Sequence, residues 1–120
     1  ACQSLDEIVV ATSSHSTDDV LADWCDQHQV KCFRGSEEDV LNRVVKAHQW
    51  MDTDVIVEIT GDCPLTDPEV IDLGVDTFLA HDADVVSNCG TILTWPMGQT
   101  VQVFPFSSYS FSMSSLNLII

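Results

Sequence analysis

Short apolar runs rich in β-branched residues alternate with amphipathic stretches, and that alternation leaves few folds open to this chain. Glu7–Thr12 (EIVVAT) and Asp54–Thr60 (DVIVEIT) are apolar enough to predict buried strands, and Val30–Arg34 and Asp84–Ser87 add two shorter ones. Ser16 or Thr17 stands where a cap belongs, before a helix whose Val20, Leu21, Trp24, Cys25 and His28 share one face. Ser36 with Asp39 resembles a capping box, Asp replacing Glu, and opens a helix with Val40, Leu41, Val44, Val45 and His48 inward. Asp67 as cap and Pro68 at the first helical position start a third helix, with Val70, Ile71, Val75, Phe78 and Leu79 inward. Repeated strand–helix units predict a mostly parallel sheet with right-handed crossovers, a three-layer α/β fold of Rossmann-like type.

After Asn88 the rhythm changes. Thr91–Thr94 and Thr100–Phe104 flank the turn-rich Trp95-Pro-Met-Gly-Gln99, which predicts a hairpin. From Ser107 the chain is Ser-rich and uncharged, and its apolar end, Leu118-Ile-Ile120, calls for a covering surface. The expected division is an α/β domain over residues 1–106 and a divergent tail over 107–120.

Charge narrows the possible partners. Nineteen acids against four bases give a net charge of −15, which repels nucleic acid and anionic membranes. No run approaches the ~20 apolar residues of a membrane helix, and no basic-then-apolar leader opens the sequence, so a cytoplasmic protein is expected. The five cysteines have no Cys-x-x-Cys and no paired-ligand spacing, which argues against a zinc site or a disulfide framework. The four histidines are scattered, and no Gly-x-Ser-x-Gly elbow anchors a hydrolase.

Two polar clusters stand where a strand gives way to a helix, the place where open α/β sheets bind phosphorylated ligands. In Arg34-Gly-Ser-Glu-Glu-Asp-Val-Leu-Asn-Arg43, Ser36 either caps the helix or donates to a ligand hydroxyl. Arg34 and Arg43 either line an anion pocket or pair with Glu37, Glu38 and Asp39. In Ile59-Thr-Gly-Asp-Cys-Pro-Leu-Thr-Asp-Pro68, Asp62 either holds Mg²⁺ against phosphate oxygens or caps a turn.

These two segments, with Leu5–Ser13 and Ala83–Asn88, resemble the spore-coat-polysaccharide branch of the cytidylyltransferases, the CMP-sugar synthetases, close to enzymes that load CMP onto Kdo, sialic and pseudaminic acids. The likeness spans roughly residues 5–106. It implies a nucleotide-diphospho-sugar transferase fold, cytidine nucleotide and an acidic sugar as ligands, and Mg²⁺ as cofactor. By motif match it makes Asp62 the metal-binding acid and places Arg34, Ser36, Glu37, Asp39 and Arg43 on the nucleotide–sugar side of a cleft.

The comparison also sets expectations of what is missing. The family opens with a strand and a Gly-rich phosphate loop ahead of the position where residue 1 falls, and it continues into a dimerisation hairpin and a second metal acid. Where it usually has Gly-Leu-Asp-Val-Glu-Val-Phe, this chain has Gly98-Gln-Thr-Val-Gln-Val-Phe104, with Thr100 and Gln102 replacing acids. The expectation is a partial cytidylyltransferase, inactive alone. The alternatives are a non-catalytic binding or interaction module, or an enzyme half completed by another chain. An uncovered sheet edge, with the apolar tail available to cover it, predicts a homo-oligomer.

Overall fold

The computed structural model describes residues 2–90 and 95–108. They form two compact units, one of residues 6–53 and one of the described residues of 1–5 and 54–120. The first arm of the expected hairpin, residues 91–94, and the tail from 109 onward lie outside the described residues.

Unit 6–53 holds β1 (Val9–Ser13), α1 (Asp19–Gln27), β2 (Lys31–Gly35) and α2 (Val40–Met51). β1 and β2 pair in parallel, from Val9 opposite Lys31 to Ser13 opposite Gly35. Neither Ser16 nor Thr17 is the cap expected before α1. The His15 ring Nδ1 accepts from the Thr17 amide and caps a 3-10 turn over Ser16–Asp18, so α1 begins only at Asp19. Asp18 precedes α1 without capping it, because its carboxylate turns back to accept from Thr12 Oγ1 at 2.6 Å and from Ser13 N at 3.0 Å.

The face expected to be buried on α1 is mostly in solvent: Val20 is 78% exposed and Trp24 50%, and Cys25 alone is buried. A two-stranded sheet is too narrow to cover a whole helix face. Trp24 finds a neighbour on its own helix, stacking on His28 at 4.1 Å. On α2 the cap is Asp39, which accepts from Asn42 N at 3.0 Å. Ser36 sits three residues earlier and accepts from Asp39 N, fixing the turn that presents the cap. α2 stops at Asp52 in the left-handed region, φ 55°.

The other unit holds β3 (Val55–Glu58), α3 (Pro68–Ala80), β4 (Val86–Ser87) and β5 (Gln102–Pro105). α3 follows its sequence closely. Asp67 accepts from Glu69 N at 3.0 Å, Pro68 is the first residue, and Val70, Ile71 and Val75 are buried. Leu79 is the exception and is exposed. The strand order is β3-β5-β4, with β5 antiparallel to both neighbours, so β3 and β4 run parallel to each other. The second hairpin arm is therefore the central strand of a three-stranded sheet. Burial accounts for that placement: consecutive residues Val103 and Phe104 are both buried, so both faces of β5 are covered. Val101 and Val103 join Val70, Ile71 and Val75 in one core cluster, with Leu5, Val57 and Phe78 packed against it. The arrangement is a mixed α/β fold of Rossmann-like nucleotidyltransferase type. Among the described residues no helix is long and apolar enough to cross a membrane.

Asp72 of α3 holds the start of the chain. It accepts from Cys2 Sγ at 2.8 Å, from Gln3 N and Ser4 N at 3.0 Å each, and from the Ser4 hydroxyl. The Cys2 and then the Ser4 side-chain bonds hold the Asp72 carboxyl well below the usual range. The Thr12 and Ser13 bonds do the same for Asp18. A depressed carboxylate contributes stability that is complete above the unfolded pKa of ~4 and is lost as pH falls through the folded value. The melting temperature should therefore fall progressively as pH drops below ~4. An Asp18→Asn, Asp72→Asn double variant should melt lower at neutral pH and lose less on acidification. An unchanged acid limb in that variant would contradict the assignment.

Candidate functional site

β2 delivers Arg34 to the end of the parallel pair, where the loop after β1 has backbone carbonyls to satisfy. Arg34 Nε donates to Ser13 O at 2.9 Å, Nη2 to His15 O at 2.7 Å, and Nη1 to Asp19 Oδ1 at 2.6 Å. Ser14 N donates to Gly35 O at 2.7 Å and closes the same loop. The planar fork of an arginine suits this multiple clamp, which a lysine could not reproduce. Arg34 thus pairs with Asp19, an acid that the sequence did not single out.

Ser36, Asp39 and Arg43 come together as a closed turn. Arg43 N donates to Asp39 O at 3.1 Å, and Arg43 Nη1 to Ser36 O at 2.8 Å. Arg43 Nε is buried and has no partner, so this guanidinium keeps an unused donor. Glu37 and Glu38 are exposed on the same turn. Gly35 is required by close approach, since an added Cβ would lie 2.9 Å from Arg43 Cγ and 3.2 Å from Phe33 Cε1.

Asp62 belongs to the other unit, past the end of β3. The Thr60 hydroxyl donates to its Oδ1, and this bond, then its own backbone amide, hold the exposed carboxyl below its ordinary value. Cys63 N donates to Thr60 O at 2.9 Å, and Thr66 Oγ1 donates to Cys63 O at 2.9 Å, so the 60–66 segment is a run of bonded turns. Gly61 has nothing within 4 Å of an added Cβ, so the protein itself makes no steric demand for glycine there.

Two residues that the sequence did not flag hold this segment in place. Gln99 Oε1 accepts from Asp67 N at 2.9 Å while its Nε2 donates to Leu65 O at 2.8 Å. Asn88 Nδ2 donates to Gln99 O at 2.6 Å, and Asn88 Oδ1 accepts from Val101 N at 2.9 Å. The two amides bridge the loop after β3, the end of β4 and the approach to β5. Their only mark in the sequence is an amide side chain beside a turn.

Among the described residues no three His, Cys, Asp or Glu side chains converge on a metal position. A lone ionised carboxylate still suits Mg²⁺, which is commonly held by one or two acids plus substrate phosphates and water. Gln102 stands directly opposite Glu58 across the β3–β5 ladder. An acid at 102 would set two carboxylates face to face, a destabilising pair that glutamine avoids.

Three substitutions separate the scaffold roles. Gly35→Ala should destabilise by ~1–3 kcal/mol through overpacking against Arg43. Gln99→Leu should cost ~0.5–1.5 kcal/mol, the net worth of the bonds it makes to the exposed Asp67 amide and Leu65 carbonyl, which water then takes over. Gly61→Ala should stay within ~0.5 kcal/mol of the parent. Chemical denaturation of the three variants checks this, and a Gly61→Ala loss equal to that of Gly35→Ala would refute it.

Residues 1–104 match the cytidylyltransferase family. The uncharacterized protein MJ1063 of Methanocaldococcus jannaschii is 42% identical over 106 residues, covering 88% of this chain and 42% of that protein. The spore coat polysaccharide biosynthesis protein SpsF of Bacillus subtilis is 39% identical over 93 residues, covering 78% of this chain and 37% of that one. The structure of a cytidylyltransferase from Leptospira borgpetersenii superposes with a TM-score of 0.83 at 33% identity, over 92% of this chain and 47% of the other. The chain thus spans less than half the length of the proteins it matches. With almost its whole described length matched, it belongs to the cytidylyltransferase family.

Proposed function

We propose that this chain takes part in transferring CMP from CTP to a hydroxyl of a cell-surface sugar, with Asp62 as its metal-binding acid. The observation that carries the reading is an exposed carboxylate past a strand end, kept ionised by the Thr60 hydroxyl and its own amide. Asp62 would hold Mg²⁺ together with nucleotide phosphate oxygens, and the ion would supply charge to offset what builds up on the phosphates in transfer. The chain's own residues orient that acid: Thr60 fixes its rotamer, and Gln99 anchors the far end of the loop at Leu65 and Asp67.

In the first turn of α2, Arg43 spends Nη1 on the Ser36 carbonyl and buries Nε, so it would act on a ligand through the charge of its guanidinium. Arg34 and Asp39 are engaged in the clamp and the helix cap, so their contribution to a ligand is to shape the backbone around it. Glu37 and Ser36 remain exposed and able to meet a sugar hydroxyl.

A second reading, a binding module without transfer activity, is favoured by the uncharged Gln102 opposite Glu58, at a position where the family resemblance leads one to expect an acid. Isothermal calorimetry with CTP, with and without Mg²⁺, separates the two. The enzyme reading predicts micromolar, Mg²⁺-dependent binding that Asp62→Asn weakens by about tenfold or more, ~1.4 kcal/mol. Binding that is absent, millimolar, or indifferent to Mg²⁺ and to Asp62→Asn would overturn it in favour of the module.

A further inference from the structure

β2 sends its side chains alternately to two helices. Phe33 and Gly35 face α2: the Phe33 ring lies 6.2 Å from that of Trp50, and a Cβ at position 35 would press on Arg43. Arg34 faces the other way and meets Asp19, the first residue of α1, at 2.6 Å. The two-residue period of a strand puts Cys32 on the same face as Arg34, toward α1. α1 in turn fully buries one side chain, Cys25, at 0% exposure.

The connection between them is short and sharply reversed. Val30 N donates to Cys25 O at 2.8 Å, and Gln29 takes φ 59°. The turn thereby brings the start of β2 back along the end of α1, with Cys32 on the side that faces the helix burying Cys25. Burial, and then the adjacent Cys25 thiol, push the Cys32 thiol up, with Arg34 acting against them. Burial as a small apolar group accounts for one such cysteine. It does not account for two close enough to act on each other where α1 meets β2.

We propose that Cys25 and Cys32 are a reversible dithiol–disulfide pair, oxidised by low-molecular-weight disulfides, that covalently locks α1 onto β2. The half-buried Cys32 reacts first. Its thiolate attacks one sulfur of the small disulfide, forming a mixed disulfide at Cys32 and releasing one small thiolate. The Cys25 thiolate then attacks Cys32 Sγ and expels the second. The protein loses two electrons and two protons, and the small disulfide is reduced to two thiols. α1 buries one side chain and holds the Arg34–Asp19 pair, so the cross-link acts on a thinly packed helix.

The test uses the full chain, incubated with oxidised glutathione at mildly alkaline pH, alkylated and digested with trypsin. Cleavage after Lys31 separates the two cysteines, so the disulfide appears as two peptides joined through Cys25 and Cys32. The expected result is that linked pair, reversal by dithiothreitol, and a melting temperature raised on the order of 10 °C in the oxidised form. A Cys2→Ser, Cys63→Ser, Cys89→Ser variant should give the same link, and Cys32→Ser should leave Cys25 unmodified. Recovery of Cys25 and Cys32 as alkylated thiols while Cys89 carries glutathione would overturn the proposal. A stable glutathione adduct on Cys32 would do the same.

Discussion

Strand ends leave backbone donors and acceptors without ladder partners, and both units depend on side chains that fill them. In one unit a single guanidinium serves the carbonyls of Ser13 and His15 while pairing with Asp19. In the other, Gln99 and Asn88 carry out the same task with neutral amides across the loop after β3, the end of β4 and the approach to β5. Each such bond contributes ~0.5–1.5 kcal/mol net, and together they favour one conformation of these loops over many.

The acidic surface shapes how these sites can work. Only four bases face nineteen acids, and two of them are occupied: Lys31 with Glu7 at 2.6 Å and Arg34 with Asp19 at 2.6 Å. A triphosphate approaching such a surface meets repulsion that a divalent cation can offset. Carboxylates kept ionised by hydroxyl and amide donors, as Asp62 is, are suited to recruit one.

Much of the fold was legible in the sequence where local chemistry decides the outcome. α3 is the clearest instance: Asp67, Pro68 and the Val70, Ile71, Val75 face all behave as their pattern predicts. α1 was legible as a helix but not in its burial, because periodicity shows which residues share a face and not whether anything wide enough covers it. The start of α1 was misplaced by a tertiary competitor, since Thr12 and Ser13 draw the Asp18 carboxylate away from the helix end. β5 was legible as a strand but not as the middle of a sheet, because pairing order depends on contacts distant in sequence.

For the candidate site, the two motif segments offered Arg34, Ser36, Glu37, Asp39, Arg43 and Asp62. The structure adds that Arg34 and Asp39 are bound up in the clamp and the cap, that Arg43 is tied to the Ser36 carbonyl, and that the Asp62 carboxylate is exposed. Gln99 was beyond reach, since an amide bridging residues more than thirty positions away has no local signature.

The most direct test of the account is paramagnetic broadening of backbone amide resonances by Mn²⁺ in the presence of a cytidine nucleotide. Mn²⁺ accepts the same oxygen ligands as Mg²⁺. The account predicts nucleotide-dependent broadening that includes the amides of Thr60 to Cys63 and disappears at that loop in Asp62→Asn. Broadening at other acidic clusters, with the 60–63 amides untouched, would contradict it.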